Sequence, residues 1–394
     1  MQGSTPYRFS ASCAFGLEAV LTRELRQLEF QGISADNGRV YFDGDWLSMA
    51  RANLWCRTAD RIWLQIGSFS ASTFDELFEG TRKLAWKDHL PSSASFPVDG
   101  LSHNSLLTSV PACQGIVKKA IVESLKAHHG GDWLPEDGPS YPVRFILNRD
   151  QCILEIDTSG AGLHKRGYRL LTNLTPLRET LAAGLVQLSY WNANRLLLDP
   201  FCGSGTILIE AAMLALHRAP GMSRSFVSQH WPQVGGQVWD EARQEAEDRF
   251  DRHTKLEILG YDVDPETLRF ARANLRKSGL EDRGLFLETR PVEKLRSQRK
   301  YGVLITNPPY GDRDPVAPKP DVAERLYQQF GQACQPLMST WSVYVLTSHS
   351  RFAHFFGMRE TKRRKLYNGL IECVYYQYPG PRPPKPVEQS EEDL

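Results

Sequence analysis

Two hydrophobic rhythms alternate along the first 170 or so residues, and a third arrangement takes over after them. In "FGLEAVLTREL" the positions Leu17, Val20, Leu21, Leu25 and Leu28 recur at helical spacing. "GRVYFDG" reads as a short strand, "DWLSMARANLW" as a helix opened by Asp45, and "RIWLQIG" as a strand. These make a small α+β block, 1–66. A second block, 67–169, holds helices at "FDELFEGTRKL" and "QGIVKKAIVESLKAHH" and a strand at "SFPVDG". Its two further strands, "YPVRFIL" and "CILEIDT", meet across "NRD" as a hairpin. From Leu170 to Tyr378 strand and helix patterns alternate: "RLLLD", "LEILGYD", "LFLE", "GVLITN", "WSVYVLTS" and "IECVYYQY" are the strands. Alternation of this kind predicts a mostly parallel, doubly wound sheet in a third block, 170–379. The proline-rich and then acidic end, 380–394, reads as a disordered tail.

Composition narrows the class without naming the chemistry. Hydrophobic content of 41% and charged content of 24% in 394 residues are those of an ordinary globular chain. No apolar run is long enough to span a bilayer. The N-terminus "MQGSTPYRFS" lacks the apolar segment of a secretory signal. Seven cysteines without C-x-x-C pairs argue for reduced thiols in a cytoplasm and against a zinc site. A formal net charge of +1 leaves nucleic-acid binding to local clusters.

"LLLDPFCGSGTILIEAA" is a strand, a glycine turn and a helix. Gly203 and Gly205 let backbone approach a ligand, and the helix offers it its N-terminus. Leu208 stands where a dinucleotide fingerprint has its third glycine, which disfavours a nicotinamide cofactor. "ILGYDVDP" ends the second strand on Asp262, an acceptor for ribose hydroxyls. The competing reading is that Asp262 only caps the helix beginning near Pro265, a role open to Asp264 as well. About 45 residues separate the first helix from this strand, too many for an ordinary connection.

"ITNPPYG" carries the chemistry. Two prolines fix the chain direction after a buried strand and keep Asn307 out of helical conformation. An exocyclic base amine is a poor nucleophile because its lone pair is delocalised into the ring. Asn307 and the Pro308 carbonyl can each accept a hydrogen bond from it and turn the lone pair toward a methyl donor. Pro309 stiffens the bend, and Tyr310 can stack on a base drawn out of its helix.

The stretches "FGLEAVLTREL", "RANLWCRTADRIWL", "FPVDG", "DTSGAGLHKRGYR", "PLRETLAAGLV", "DPFCGSGT", "ITNPPYG" and "KLYNGLIECVYYQY" together resemble the THUMP-containing RNA guanine-N2 methyltransferases, the YpsC-like group and the first half of RlmL. The resemblance implies a ferredoxin-like unit, a THUMP domain and a Rossmann-like methyltransferase domain. It implies S-adenosylmethionine as cofactor and a guanine in 23S rRNA, free or in a ribosome assembly intermediate, as target. A tRNA guanine, an adenine N6 amine, a catalytically inactive RNA binder and an oxidoreductase are the alternatives. By position the family's cofactor residues fall on Asp199, Phe201, Gly203, Gly205, Thr206 and Asp262, with Asn307 shared with the catalytic set of Pro308, Pro309 and Tyr310. One departure stands out: Arg290 and Pro291 occupy the stretch where many methyltransferases place an acid against adenine, and Glu293 is a poor substitute. For RNA, "GLHKRGYR" offers Lys165, Arg166, Tyr168 and Arg169, and "PLRET" offers Arg178. Lys362, Arg363, Arg364 and Lys365 form a second basic run, equally readable as a solvated face.

Overall fold

A computed structural model describes residues 6–129, 134–169, 177–310 and 320–384. Residues 385–394 of the expected tail lie outside the described residues. The chain divides into two compact units. Unit 1 holds 1–167 and 217–250, and unit 2 holds 168–216 and 251–394.

Unit 1 is built on one seven-stranded sheet. The chain runs through β1 (Tyr7–Cys13), α1 (Glu18–Gln27), β2 (Gln31–Asp36), β3 (Arg39–Gly44), α2 (Trp46–Trp55) and β4 (Ala59–Ser70). It continues through α3 (Phe74–Arg82), β5 (Val98–His103), α4 (Val110–His129), β6 (Val143–Asn148) and β7 (Gln151–Asp157). The strand order is β2-β3-β1-β4-β7-β6-β5. β4 pairs with β1 on one side and β7 on the other, so the boundary expected at 66–67 falls inside a strand shared by both halves. The side chain of Asp45 accepts from Ser48 N at 2.8 Å and opens α2, as its sequence suggests. The β6–β7 hairpin turns on Arg149 and Asp150, both at positive φ, the conformation a tight two-residue turn demands. Phe9, Val40, Phe42, Ile62 and Leu64 are buried on one face. The other face carries Arg8, Arg39, Arg61 and Arg144 beside Tyr41 and Trp63. There Glu155, fully buried, accepts from Arg39 at 2.9 Å, Arg144 at 2.8 Å and Ser10 at 2.6 Å.

Unit 2 begins with α5 (Glu179–Ser189), β8 (Leu197–Asp199) and α6 (Thr206–Ala215). The chain then returns to unit 1, where α7 (Gly236–Asp248) packs on α2 and Arg51 pairs with Glu245 at 2.8 Å. This accounts for the long stretch between the first helix and second strand. Back in unit 2 follow β9 (Ile258–Asp262), α8 (Pro265–Ser278), β10 (Leu285–Thr289), β11 (Val303–Thr306) and α9 (Pro320–Cys334). The chain ends with β12 (Ser342–Thr347), α10 (Phe352–Phe356), β13 (Lys362–Asn368) and β14 (Ile371–Tyr378). The sheet order is β10-β9-β8-β11-β12-β14-β13, parallel from β10 to β12, with β14 antiparallel to both its neighbours. The fold is Rossmann-like. Leu304, Val343, Val345, Tyr327, Phe330 and Phe352 belong to a core packed against this sheet.

Candidate active site

The order β9-β8-β11 brings three strand ends side by side: Asp262, Asp199 and Thr306. Ligands of doubly wound sheets bind outside these carboxyl ends. Asp199 is 1% exposed and accepts from Phe201 N at 3.1 Å and Thr306 Oγ1 at 2.5 Å, tying β8 to β11. Burial, with the Asp262 carboxylate nearby, pushes its pKa up to about 7. Asp262 accepts from Gly203 N at 3.1 Å and Asp264 N at 3.0 Å. Burial raises its pKa as well.

The capping alternative for Asp262 is corrected by these contacts. Asp264 is the N-cap of α8, accepting from Glu266 N and Thr267 N. Asp262 instead braces the glycine turn, and a carboxylate with two oxygens retains acceptor sites beyond the two amides. Gly203 has φ +52°, and a Cβ added there would meet nothing within 4 Å, so the turn borders open space. Gly205, at φ +80°, is the N-cap of α6. Thr206 Oγ1 lies 3.2 Å from Ser204 Oγ and accepts from Arg169 at 2.9 Å. The Phe201 ring stands edge-on to Phe330 at 5.2 Å, so it packs toward the core and the turn uses its backbone.

Asn307 follows β11. Its Oδ1 accepts from the Tyr310 hydroxyl at 2.6 Å. The Tyr310 phenol is hydrogen-bonded by the Asn368 side chain and approached by Cys373 Sγ at 3.6 Å, and burial raises its pKa well above the usual range. It is therefore a neutral donor. The Pro309 carbonyl accepts from Tyr327 on α9. That bond fixes the second proline and orients the bend from below. Tyr327 lies in none of the motif stretches, and Asn368 stands in one of them without a role assigned, because each joins the site from a distant segment. Val263, 70% exposed beside Asp262, is an apolar platform that only the structure singles out.

The RNA-contact expectation is revised for three residues. Arg166 is 3% exposed and donates to Leu163 O at 2.6 Å and to Arg57 O. Tyr168 is 2% exposed and donates to Glu210 at 3.1 Å. Arg169 pairs with Glu179 at 2.8 Å and donates to Leu177 O at 2.8 Å. Their charge and hydroxyl are spent on the protein itself. Lys165 and Arg178 are exposed. Arg290 pairs with Glu288 at 2.7 Å and lies over the Tyr261 ring at 4.4 Å, at the end where an acid was missing. The basic run 362–365 lies on the edge strand β13. There Lys365 meets Glu372 at 2.7 Å and Arg363 meets Glu360, an arrangement that blunts an open sheet edge. β13 runs parallel to β12, so its cations sit toward the end away from the crevice and Asn368 toward it.

The site fits S-adenosylmethionine: a glycine turn bordering open space, a braced carboxylate with spare acceptor capacity, and an exposed apolar side chain beside it. Among the described residues no group of three or more His, Cys, Asp or Glu could hold a metal ion. All seven cysteines are buried free thiols. Among the described residues no helix is long and apolar enough to cross a membrane.

Comparison with known proteins agrees with this geometry. The RlmL ferredoxin-like domain matches residues 8–63 and the THUMP domain residues 71–157. The RMKL-like methyltransferase domain matches residues 166–377. YpsC of Bacillus subtilis (strain 168), whose name proposes RNA methyltransferase activity, is 46% identical over 94% of this chain and 96% of its own. A ribosomal RNA large subunit methyltransferase K/L of Desulfotalea psychrophila is 34% identical over 93% of this chain, which spans only 52% of that longer protein. Among solved structures, SMU.472, proposed as a methyltransferase and solved with SAH, superposes with TM-score 0.90 at 39% identity, covering 97% of this chain and 100% of that one. A protein of Listeria monocytogenes described as a predicted N6-adenine-specific DNA methylase superposes with TM-score 0.89 at 44% identity, covering 95% and 97%. The chain belongs to the RMKL-like, S-adenosylmethionine-dependent methyltransferases that carry a ferredoxin-like domain and a THUMP domain ahead of the catalytic one.

Proposed function

We propose that the protein methylates the exocyclic N2 amine of a guanine in RNA, most specifically in 23S rRNA. The observation that carries the reading is the Asn307 carboxamide held at the end of β11 by Tyr310, on a strand end adjacent to the Asp199–Asp262 corner. S-adenosylmethionine, when bound, supplies an electrophilic methyl group on a sulfonium. Everything else falls to the chain. Asp262 takes the ribose hydroxyls, and the glycine turn lets the cofactor lie against backbone. Asn307 Oδ1 and the Pro308 carbonyl accept the two amine hydrogens of the target base and leave its lone pair facing the methyl. The Pro309 carbonyl is already taken by Tyr327, so Pro308 is the proline that serves. Placement of this kind can contribute several kcal/mol by orientation alone (about 7–11 in the best intramolecular cases).

RNA as substrate rests on the THUMP match and on the names of YpsC and the ribosomal RNA large subunit methyltransferases. The Listeria description favours a second reading, adenine N6 in DNA, because Asn-Pro-Pro-Tyr can position that amine equally well. Nucleoside mass spectrometry decides. Purified protein with labelled S-adenosylmethionine is given 23S rRNA, tRNA or DNA from a strain lacking it. Label in N2-methylguanosine of 23S rRNA is expected. Label in tRNA moves the target, and N6-methyladenine in DNA overturns the base and the polymer together.

A further inference from the structure

The rim of the strand-end crevice carries a large apolar side chain that the protein leaves uncovered. β13 and β14 are joined by only Gly369 and Leu370, since Asn368 pairs directly with Ile371. Gly369 has φ +63°, as a tight hairpin turn with glycine in its first central position requires. The turn leaves Leu370 at 101% relative exposure. A lone exposed leucine on a remote loop needs no explanation. This one stands at a rigid tip tied to the catalytic motif. Asn368, only 5% exposed, hydrogen-bonds the Tyr310 phenol, and Tyr310 in turn holds Asn307. The Asn368 side-chain Oδ1 also accepts from Arg178 N at 3.4 Å. The Arg178 guanidinium lies 3.8 Å from where a Cβ on Gly369 would be, with the side chain exposed. An apolar finger and a cation therefore sit together, two residues beyond the amine-binding constellation.

We propose that this tip holds the target RNA open: Leu370 fills the gap in the base stack that the guanine vacates, and Arg178 grips a neighbouring phosphate. The proposal rests on the reading that a guanine is drawn into the site. A base reacting at Asn307 must leave its stack, and unstacking is costly. Proteins that distort nucleic acids commonly offset that cost with an apolar wedge between base steps. A two-residue turn suits the task, because the wedge is presented without a flexible loop to order. Asn368 links the tip to the amine site through its hydrogen bond to Tyr310.

The test is steady-state methyl transfer to 23S rRNA purified from a strain lacking the protein. Leu370→Ala is expected to lower kcat/KM by about tenfold or more, the scale of one lost leucine contact. Leu370→Met, which keeps an apolar finger, should stay within about threefold of wild type on the same scale. Melting temperature and S-adenosylmethionine affinity of both variants should be unchanged, since the side chain touches neither core nor cofactor. Arg178→Ala should raise KM for RNA and reduce its salt dependence. Wild-type rates in Leu370→Ala overturn the proposal, as does a loss that Met fails to rescue or that follows the melting temperature. If the wild-type protein itself puts no methyl on the guanine, the reading of the reaction fails instead.

Discussion

In unit 1 the buried carboxylate Glu155 is answered by two arginines and a serine, whereas in unit 2 Asp199 and Asp262 are held by backbone amides and one threonine hydroxyl. The first arrangement spends its charge inside the protein. Arg144 even lies 3.4 Å from the centroid of the Trp63 ring, closing the cluster from above. The second buries two carboxylates among few donors, and burial raises the pKa of both. Such a pair is unfavourable to folding and useful to a ligand that brings donors of its own. The same residue types thus close an ion-pair cluster in one sheet and brace the strand ends and glycine turn in the other.

That contrast can be broken from either side. Glu155→Ala strands two arginines over a buried hole and should destabilise the protein by about 3–5 kcal/mol. Chemical denaturation measures it, and cofactor affinity of the folded fraction should not move. A loss under about 1 kcal/mol would mean the cluster is a surface pair in disguise. Asn307→Ala should cost about 10²–10³-fold in single-turnover methyl transfer at nearly unchanged cofactor affinity. Turnover within a few-fold of wild type would remove Asn307 from the chemistry. Asp262→Ala should weaken S-adenosylmethionine binding by roughly 1.5–3 kcal/mol, read by calorimetry. An unchanged dissociation constant would leave the carboxylate a brace for the turn alone.

Asp199 sharpens the comparison through pH. The folded protein holds its proton up to about pH 7, while the unfolded chain releases it near the ordinary aspartate value of 3.8. The folded state binds more protons in that window, so stability falls as pH rises through it, by up to roughly 1.4 kcal/mol per pH unit. Asp199→Asn should flatten the decline in melting temperature between pH 5 and pH 7. Parallel declines in the two proteins would show that the proton leaves elsewhere.

Strands rich in large apolar residues, such as Ile258–Asp262 and Val303–Thr306, could be read from the chain because burial on both faces writes itself into composition. β1 could not, since "YRFSASC" alternates Phe9 and Ala11 with serines, and small residues carry little periodic signal. β2 is mostly exposed and has no apolar stripe at all. The placement of Asp262 at one strand end and of the Asn-Pro-Pro-Tyr turn after another was legible because both signals are local. Arg166, Tyr168 and Arg169 misled for the opposite reason. A cation in a short basic stretch looks solvated until Leu163 O, Arg57 O, Glu179 and Thr206 are seen around it. Asn368 and Tyr327 reach the site across 58 and 18 residues of sequence, from Tyr310 and Pro309 respectively.

The excursion of residues 217–250 into unit 1 bears on how the protein is made. A chain leaves the ribosome from its N-terminus at about 5–20 residues per second, and domains ordinarily fold as they emerge. Unit 1 cannot finish on that schedule. The helix that packs on α2, and Trp231, stacked on Tyr141 at 4.6 Å, arrive only after β8 and α6 of unit 2 have been synthesised. For several seconds the nascent chain carries an incomplete N-terminal unit and the opening pieces of the next. Expressing unit 2 alone from residue 170 would keep 217–250 without its partners, leaving Phe226, Trp231 and Trp239 to seek others. The two units are therefore obliged to be born together.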